Sequence, residues 1–280
     1  MNTSRSQACR LLSEGLTAGY QDRRVLENVD FRVAEGRLTV LLGPNGSGKS
    51  TLLKTLARTL TPQRGRVLLD GQEIHRYRTR DIAHRLGVLP QSPTAPEGMT
   101  VRELVGMGRF PHQRLWRQWS KQDERAVAEA MAVARVADFA ERQVDALSGG
   151  QRQRCWIAMV LAQDTDLILL DEPTTFLDLK VQVDLLELLV RLAHERGRTL
   201  LVVLHDLNLA AAHADVLVMM RDGRIEHSGP PEAVFTAANL KRVFDLDAEV
   251  IHASSTGRPV CIPALGSAAS PTRRQEELPA

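Results

Sequence analysis

Three short runs of branched aliphatic residues punctuate the chain: LTVLL at 38–42, LILL at 167–170 and LLVVL at 200–204. Each is four or five residues long and gives way to a glycine or a polar residue, as parallel strands covered on both faces do. Between them the apolar spacing changes. Gln182, Leu185, Leu186, Leu189, Leu192 and Ala193 recur every three or four positions, all but the first apolar, and Gly197 follows as a stop. Strands alternating with helices predict a parallel sheet. Two Asp-Gly pairs, in VLLDGQEI at 67–74 and VLVMMRDGRIEHSG at 216–229, predict hairpins. Further short strands are expected near the N-terminus, so an antiparallel β layer is added to the parallel core.

From about 92 the texture shifts to charged, alanine-rich helix formers such as KQDERAVAEAMAVARV. An α-helical subdomain inserted at about 92–162 is predicted there. Residues 263–280, rich in Ser, Pro, Ala and charge, read as a disordered tail. No internal repeat is present.

Composition narrows the setting. Hydrophobic residues make up 43% and charged residues 25%, with a net charge of +2 and a sequence pI near 8.6, too mild to imply a nucleic-acid partner. The arginine-rich stretch HRYRTRDIAHR at 75–85 reads as a solvated face. Cys9, Cys155 and Cys261 form no CxxC pair and are odd in number, which fits free thiols in a reducing compartment. Residues 1–30 hold no apolar signal-type run, and no apolar stretch approaches the roughly 18 residues of a membrane helix. Work at a membrane would have to go through another protein.

The chemistry concentrates in a few stretches. GPNGSGKS at 43–50 satisfies G-x-x-x-x-G-K-[ST], follows a predicted strand and opens a predicted helix. Gly43, Gly46 and Gly48 let backbone N–H groups converge on phosphates, aided by the helix dipole. Lys49 would reach the terminal phosphates, Ser50 would ligate Mg²⁺, and Pro44, Asn45, Ser47 and Thr51 complete the nucleotide-binding set. In LILLDEP, Asp171 ends a buried strand where a carboxylate can hold Mg²⁺, and Glu172 is the candidate to polarise the attacking water. His205 follows a third strand. Lys49, Asp171 and His205 thus all fall at or beyond the carboxyl ends of strands, where ligands of parallel sheets sit. Gln91, after the short strand GVLP, stands where core meets insert and could touch Mg²⁺ or water.

A second anion-seeking loop occurs about a hundred residues later, in LSGGQ at 147–151. Ser148 can cap the helix that follows, and Gly149 and Gly150 leave their N–H groups unobstructed. One nucleotide already has its cradle in the first loop. The second, carried by the insert beside Gln151, is better placed to meet a nucleotide held by another copy. Two chains head to tail would sandwich two nucleotides across a two-fold axis.

In their order and spacing GPNGSGKST, Gln91, LSGGQ, LLDEP, LD at 177–178 and His205 resemble the nucleotide-binding subunit of an ATP-binding cassette (ABC) transporter, over about residues 10–262. The resemblance implies a P-loop ATPase fold, ATP and Mg²⁺ as ligands, and a homodimer. It assigns Tyr20 to stacking on adenine and Asp178 to a loop crossing between subunits. GRFPHQRLWRQWS at 108–120 and DEPTTFLDLKVQVDLLELL at 171–189 look more particularly like iron–siderophore importer ATPases, with haem and cobalamin importers as relatives. Phe176 stands where several transporter families carry a small residue. The implied partners are an integral-membrane permease, received by residues 92–119, and indirectly a substrate-binding protein, which puts the subunit on the cytoplasmic face of the membrane. Phe110, Trp116 and Trp119 are either docking anchors for the permease or the insert's own core. ABC-type ATPases outside transport usually show long heptad arms or paired cassettes, and neither is read here; a small regulatory ATPase without a permease is the remaining alternative.

Overall fold

The computed structural model describes residues 9–21, 23–113 and 119–264. Strands β1 (Leu11–Tyr20) and β2 (Arg23–Arg32) form a hairpin, and β3 (Leu38–Leu42) runs into the glycine-rich loop and helix α1 (Lys49–Leu56). Next come β4 (Arg64–Leu69), the two-residue β5 (Gln72–Glu73), α2 (Thr79–Ala83) and β6 (Leu86–Leu89). Three helices follow before the next strand: α3 (Val101–Met107), α4 (Lys121–Val133) and α5 (Gly149–Ala162). The core resumes with β7 (Leu167–Asp171), α6 (Leu179–Arg196), β8 (Thr199–Val203), α7 (Leu207–His213), β9 (Val216–Arg221) and β10 (Arg224–Gly229). Helices α8 (Pro231–Val234) and α9 (Ala237–Phe244) lead to a ribbon of β11 (Ala248–His252) and β12 (Pro259–Pro263).

The central sheet has the order β10-β9-β3-β8-β7-β6, parallel throughout except for β10. A four-stranded antiparallel sheet, β2-β1-β4-β5, forms the added layer. Both Asp-Gly hairpins close as predicted. Asp70 and Gly71 have φ of 48° and 79°, and Asp222 and Gly223 have 48° and 76°, the paired positive values of a type I′ turn. Gly197 ends α6 at φ 64°, a left-handed C-terminal stop.

Every residue of β3, β7 and β8 is buried, and their alternation divides the interior in two. Leu41, Leu169 and Leu201 face α1 and the antiparallel layer, meeting Leu52, Leu56, Phe31 and Val67. Val40, Leu170 and Val202 face the other way and share one continuous core with Leu186 of α6 and with Leu104, Val127 and Trp156 of the three inserted helices. The insert is therefore fixed to the underside of the same strands that carry the glycine-rich loop. Two features depart from expectation: the third core strand starts one residue earlier, at Thr199, and the short elements from α8 to β12 lack the length or periodicity to announce themselves. The three cysteines are free.

One ion pair is enclosed within the insert. Arg109 Nε donates to Asp123 Oδ1 at 2.8 Å, with side-chain exposures of 3% and 8%. Burial alone would push the Asp123 carboxyl up, but hydrogen bonds from Ser120 and Arg109 hold it below the usual range. Its stabilising contribution is thus present above the ordinary carboxylate pKa and is lost as pH falls through the depressed value. Removing one partner of a buried pair costs about 3–5 kcal/mol. Asp123→Asn should lower the denaturation midpoint at pH 7, and the gap from wild type should narrow as the pH is lowered below about 4. Denaturant titrations at both pH values check this.

Candidate functional site

The glycine-rich loop leaves β3 at Gly43, where a Cβ would fall 2.4 Å from Met220 O and 2.5 Å from Ser47 Oγ. Only glycine permits that approach to β9. Gly48, at φ 103°, faces Leu26, whose Cδ2 a Cβ would meet at 2.8 Å. The loop is braced from outside: Gly223 N, in the second Asp-Gly turn, donates to Ser47 O at 3.0 Å. The hairpin was legible in the sequence; its use as a brace was not, since nothing local signals a contact nearly 180 residues away.

Lys49 is buried and its Nζ donates to Gly43 O at 2.8 Å and Pro44 O at 3.1 Å. Burial pushes its ammonium below the ordinary lysine value, against the opposing pull of Glu172 and Asp171. Asp171 ends β7 with 3% of its surface exposed. Ser50 Oγ donates to its Oδ1 at 3.2 Å, and burial pushes the carboxyl above its usual range. A desolvated ammonium and a desolvated carboxyl are both costly as they stand. An anionic phosphate beside the first and a divalent cation beside the second would offset those costs, and the oxygen donors Ser50 and Asp171 suit a hard cation. The residues fit both groups.

Glu172 adopts φ 51°, a left-handed backbone uncommon for a non-glycine residue, and its side chain is nearly enclosed. Its Oε2 accepts from Gln91 Nε2 at 2.5 Å, and its Oε1 lies 2.5 Å from His205 Nε2. Thr175 Oγ1 adds a contact at 3.4 Å to Oε2, a partner the sequence reading did not pick out. Residues following β3, β6, β7 and β8 therefore meet in one crevice beyond the carboxyl ends of the parallel strands. One recess there is lined by Val25, Asn45, Gly46, Lys49, Thr51 and Glu172, among others. Tyr20 at the end of β1 is 45% exposed, and Lys54 Nζ lies 5.8 Å from its ring centroid.

The second loop does not line that recess. Ser148 caps α5 in a reciprocal box: Gln151 N donates to Ser148 Oγ at 3.3 Å and Ser148 N to Gln151 Oε1 at 3.1 Å. Gln151, expected at a nucleotide, has its amide oxygen committed to this cap. A Cβ on Gly149 would meet nothing within 4 Å, whereas one on Gly150 would fall 2.7 Å from Val181 Cγ1. Ser148, Gly149, Gly150 and Gln151 line a separate recess with Phe176 and Asp178. Phe176 is fully exposed at 101% and has φ 63°.

The choice left open for the insert's aromatics resolves toward the surface. Phe110 is 60% and Trp119 46% exposed; Trp119 donates its indole N–H to Glu124 at 3.0 Å. Trp116 lies outside the described residues.

Comparison with known proteins agrees with this layout. A family model described as ABC transporter matches residues 26–175. The chain is 48% identical over 263 residues to the ferric enterobactin transport ATP-binding protein FepC of Escherichia coli (strain K12), covering 94% of this chain and 97% of that one. This chain belongs to the ABC transporter family. It is an ATP-binding, ATP-hydrolysing subunit of that family. It is also 47% identical over 252 residues to the iron(3+)-hydroxamate import ATP-binding protein FhuC of Bacillus subtilis (strain 168), with 90% of this chain and 94% of that protein covered. The ABC fold extends to solved structures. A transporter assigned to the metal-chelate type, in an inward-facing conformation, superposes with a TM-score of 0.80 at 28% identity over 92% of this chain and 98% of that chain. A dimeric bacterial ABC cassette, MJ0796, superposes with a TM-score of 0.70 at 28% identity over 79% of this chain and 98% of that chain. Among the described residues of this subunit, no helix is long and apolar enough to cross a membrane.

The desolvated acid gives a stability prediction. Asp171→Asn removes a buried charge, so the nucleotide-free variant should melt about 2–4 °C higher than wild type. Added MgATP should then stabilise it less than it stabilises wild type. Thermal melts with and without MgATP test both halves.

Proposed function

We propose that this ABC subunit powers uptake of iron–siderophore complexes through a separate permease, working as a head-to-tail homodimer on the cytoplasmic face of the membrane. A substrate-binding protein would deliver the cargo to the permease. The observation that carries the reading is near-half identity, over nearly the full length of both chains, to the ATP-binding proteins of ferric enterobactin and iron(3+)-hydroxamate transport. Haem or cobalamin import is the second reading, since those importer ATPases share much of the same motif pattern. We take residues 10–262 as one ABC ATPase domain, with the helical insert at 92–162 as the part that meets the permease.

In this reading Tyr20 stacks on adenine, and Gly43, Pro44, Asn45, Gly46, Ser47, Gly48 and Thr51 surround the phosphates. Lys49 exchanges its two loop carbonyls for phosphate oxygens. Ser50, Asp171 and Gln91 would hold Mg²⁺, which supplies charge neutralisation on the phosphate oxygens when bound. Glu172 is the general base. Its two oxygens are engaged by Gln91 and His205, each keeping a second lone pair that can accept from water, and release of either partner would raise its basicity. Gln91 is the better candidate to yield, because it sits at the joint with the insert, while His205 stays to orient the carboxylate and meet the γ-phosphate.

The separation of the two recesses supports a composite site. Ser148, Gly149, Gly150 and Gln151 would complete the phosphate shell of the opposite copy, and Asp178 would lie in the crossing between copies. ATP then favours the closed dimer, hydrolysis removes the bridge, and the permease follows the insert.

Two measurements test this. Glu172→Gln should lower turnover by roughly 10²–10⁴-fold with ATP affinity retained, and should accumulate an ATP-dependent dimer by light scattering; near-normal hydrolysis would remove Glu172 from the role of base. A chromosomal Lys49→Ala replacement should abolish radio-iron uptake on one siderophore class. Intact siderophore uptake with loss of haem or cobalamin uptake would move the protein to the second reading.

A further inference from the structure

His205 occupies the gap between β8 and α7, and the two sides of that gap are held differently. On the sheet side Leu204 N donates to Leu41 O at 3.2 Å, which ties the end of β8 to β3. On the helix side Asp206 caps α7, its Oδ1 accepting from Leu209 N at 2.8 Å. A helix of seven residues is too short to hold its own place. Ala210, Ala211 and Ala214 are fully buried, but methyl groups make few contacts and offer little resistance to a roll or slide.

The placement of α7 comes instead from the C-terminal ribbon. Asn208, in the first turn, meets β12 with both ends of its amide. Its Oδ1 accepts from Cys261 N at 2.7 Å, and its Nδ2 donates to Cys261 O at 3.1 Å. Cys261 lies opposite Val250 of β11. The Asn208 amide satisfies the Cys261 backbone from the other side, as the peptide group of a third strand would. At the far end of α7, Arg258 Nη1 donates to Ala214 O at 3.2 Å and also meets Glu232 Oε1 at 3.0 Å. The helix is therefore bound to the ribbon at both ends. Asn208 is exposed, so its side chain contributes alignment more than core packing.

We propose that Asn208 is a positioning residue for His205. By fixing the first turn of α7 on β12, it keeps the imidazole Nε2 against Glu172 Oε1, the 2.5 Å contact at the crevice. This placement rests on the orienting role proposed for His205 and adds the element that sets it. Asn208 touches no reacting atom. The ribbon, more than 50 residues further along the chain than His205, becomes part of how the crevice is built.

Full-length Asn208→Ala, His205→Ala, Glu172→Gln and the double variant of the first two test this by spectrum and by rate. With the histidine rings isotope-labelled, the His205 signal of the nucleotide-free protein is the one missing from His205→Ala. Glu172→Gln should move that signal by removing its charged partner. Asn208→Ala should displace it in the same direction, with the signals of His75, His84 and His227 in place. In hydrolysis, Asn208→Ala should lower kcat about fivefold, the effect of roughly one lost hydrogen bond, with KM for MgATP unchanged. It should cost nothing further in the His205→Ala background. Asn208→Asp still accepts from Cys261 N but cannot donate to Cys261 O, so it should fall between, and it carries the test should Asn208→Ala fail to fold. A His205 signal that keeps its wild-type position in Asn208→Ala overturns the assignment. So does an equal loss of kcat with and without His205, which marks a merely structural role. If His205→Ala hydrolyses ATP as wild type does, the role given to His205 has failed, and the ring signals still decide whether Asn208 places it.

Discussion

Two buried charges set the terms for this subunit. Lys49 is folded back onto the carbonyls of its own loop, and Asp171 has the hydroxyl of Ser50. Both are displaced by burial toward their neutral forms. Much of the surrounding architecture exists to keep them there. The fully buried strands β3 and β7 deliver them, Gly43 lets the loop pass against Met220, and the Asp222-Gly223 turn presses the loop from outside. A site preorganised at a cost to the unliganded fold gains more from its ligand than a relaxed one would.

The chain between Glu172 and Asp178 joins the two recesses over six residue steps. It begins with a left-handed residue, Glu172, and contains another, Phe176. Backbone of that kind persists only where the surroundings enforce it. Here it turns the Glu172 carboxylate toward Gln91 and His205 while sending Phe176 outward, on the same face as Ser148 and Gly149. Whatever covers the second recess therefore sits within a few residues of the group proposed to activate water.

The core was legible because it is local. Continuous aliphatic runs named the strands, Asp-Gly named two turns, and Gly197 named a helix end, since each is a property of a few consecutive residues. The phosphate loop, Asp171 and Glu172 were legible for the same reason, as was the Ser148 cap. Less visible was how the groups meet. That Gln91 and His205 each take one oxygen of Glu172 depends on the order of β6, β7 and β8 in the sheet, and no spacing in the chain encodes it. The reciprocal cap at Gln151 does have a local signal, a serine three residues before a glutamine at a helix start, but the same residues also fit a phosphate loop. Short elements from α8 to β12 were missed because four to eight residues are too few to show a period.

Separate recesses also bear on how ATP could shift a conformational balance. A ligand moves an equilibrium only by its differential affinity for the two states. If the nucleotide touched the first recess alone, it would bind open and closed forms equally well and shift nothing. Taking a dimer from about 1% to about 99% closed requires roughly 5.5 kcal/mol. Divided over two equivalent sites, that is a little under 3 kcal/mol each, the scale of one or two hydrogen bonds to a charged group. The Ser148 hydroxyl and the open N–H groups at Gly149 and Gly150 can supply that much, and little more is needed. In the composite site proposed above these contacts run through the γ-phosphate, so they are lost with it and the closed form loses its advantage.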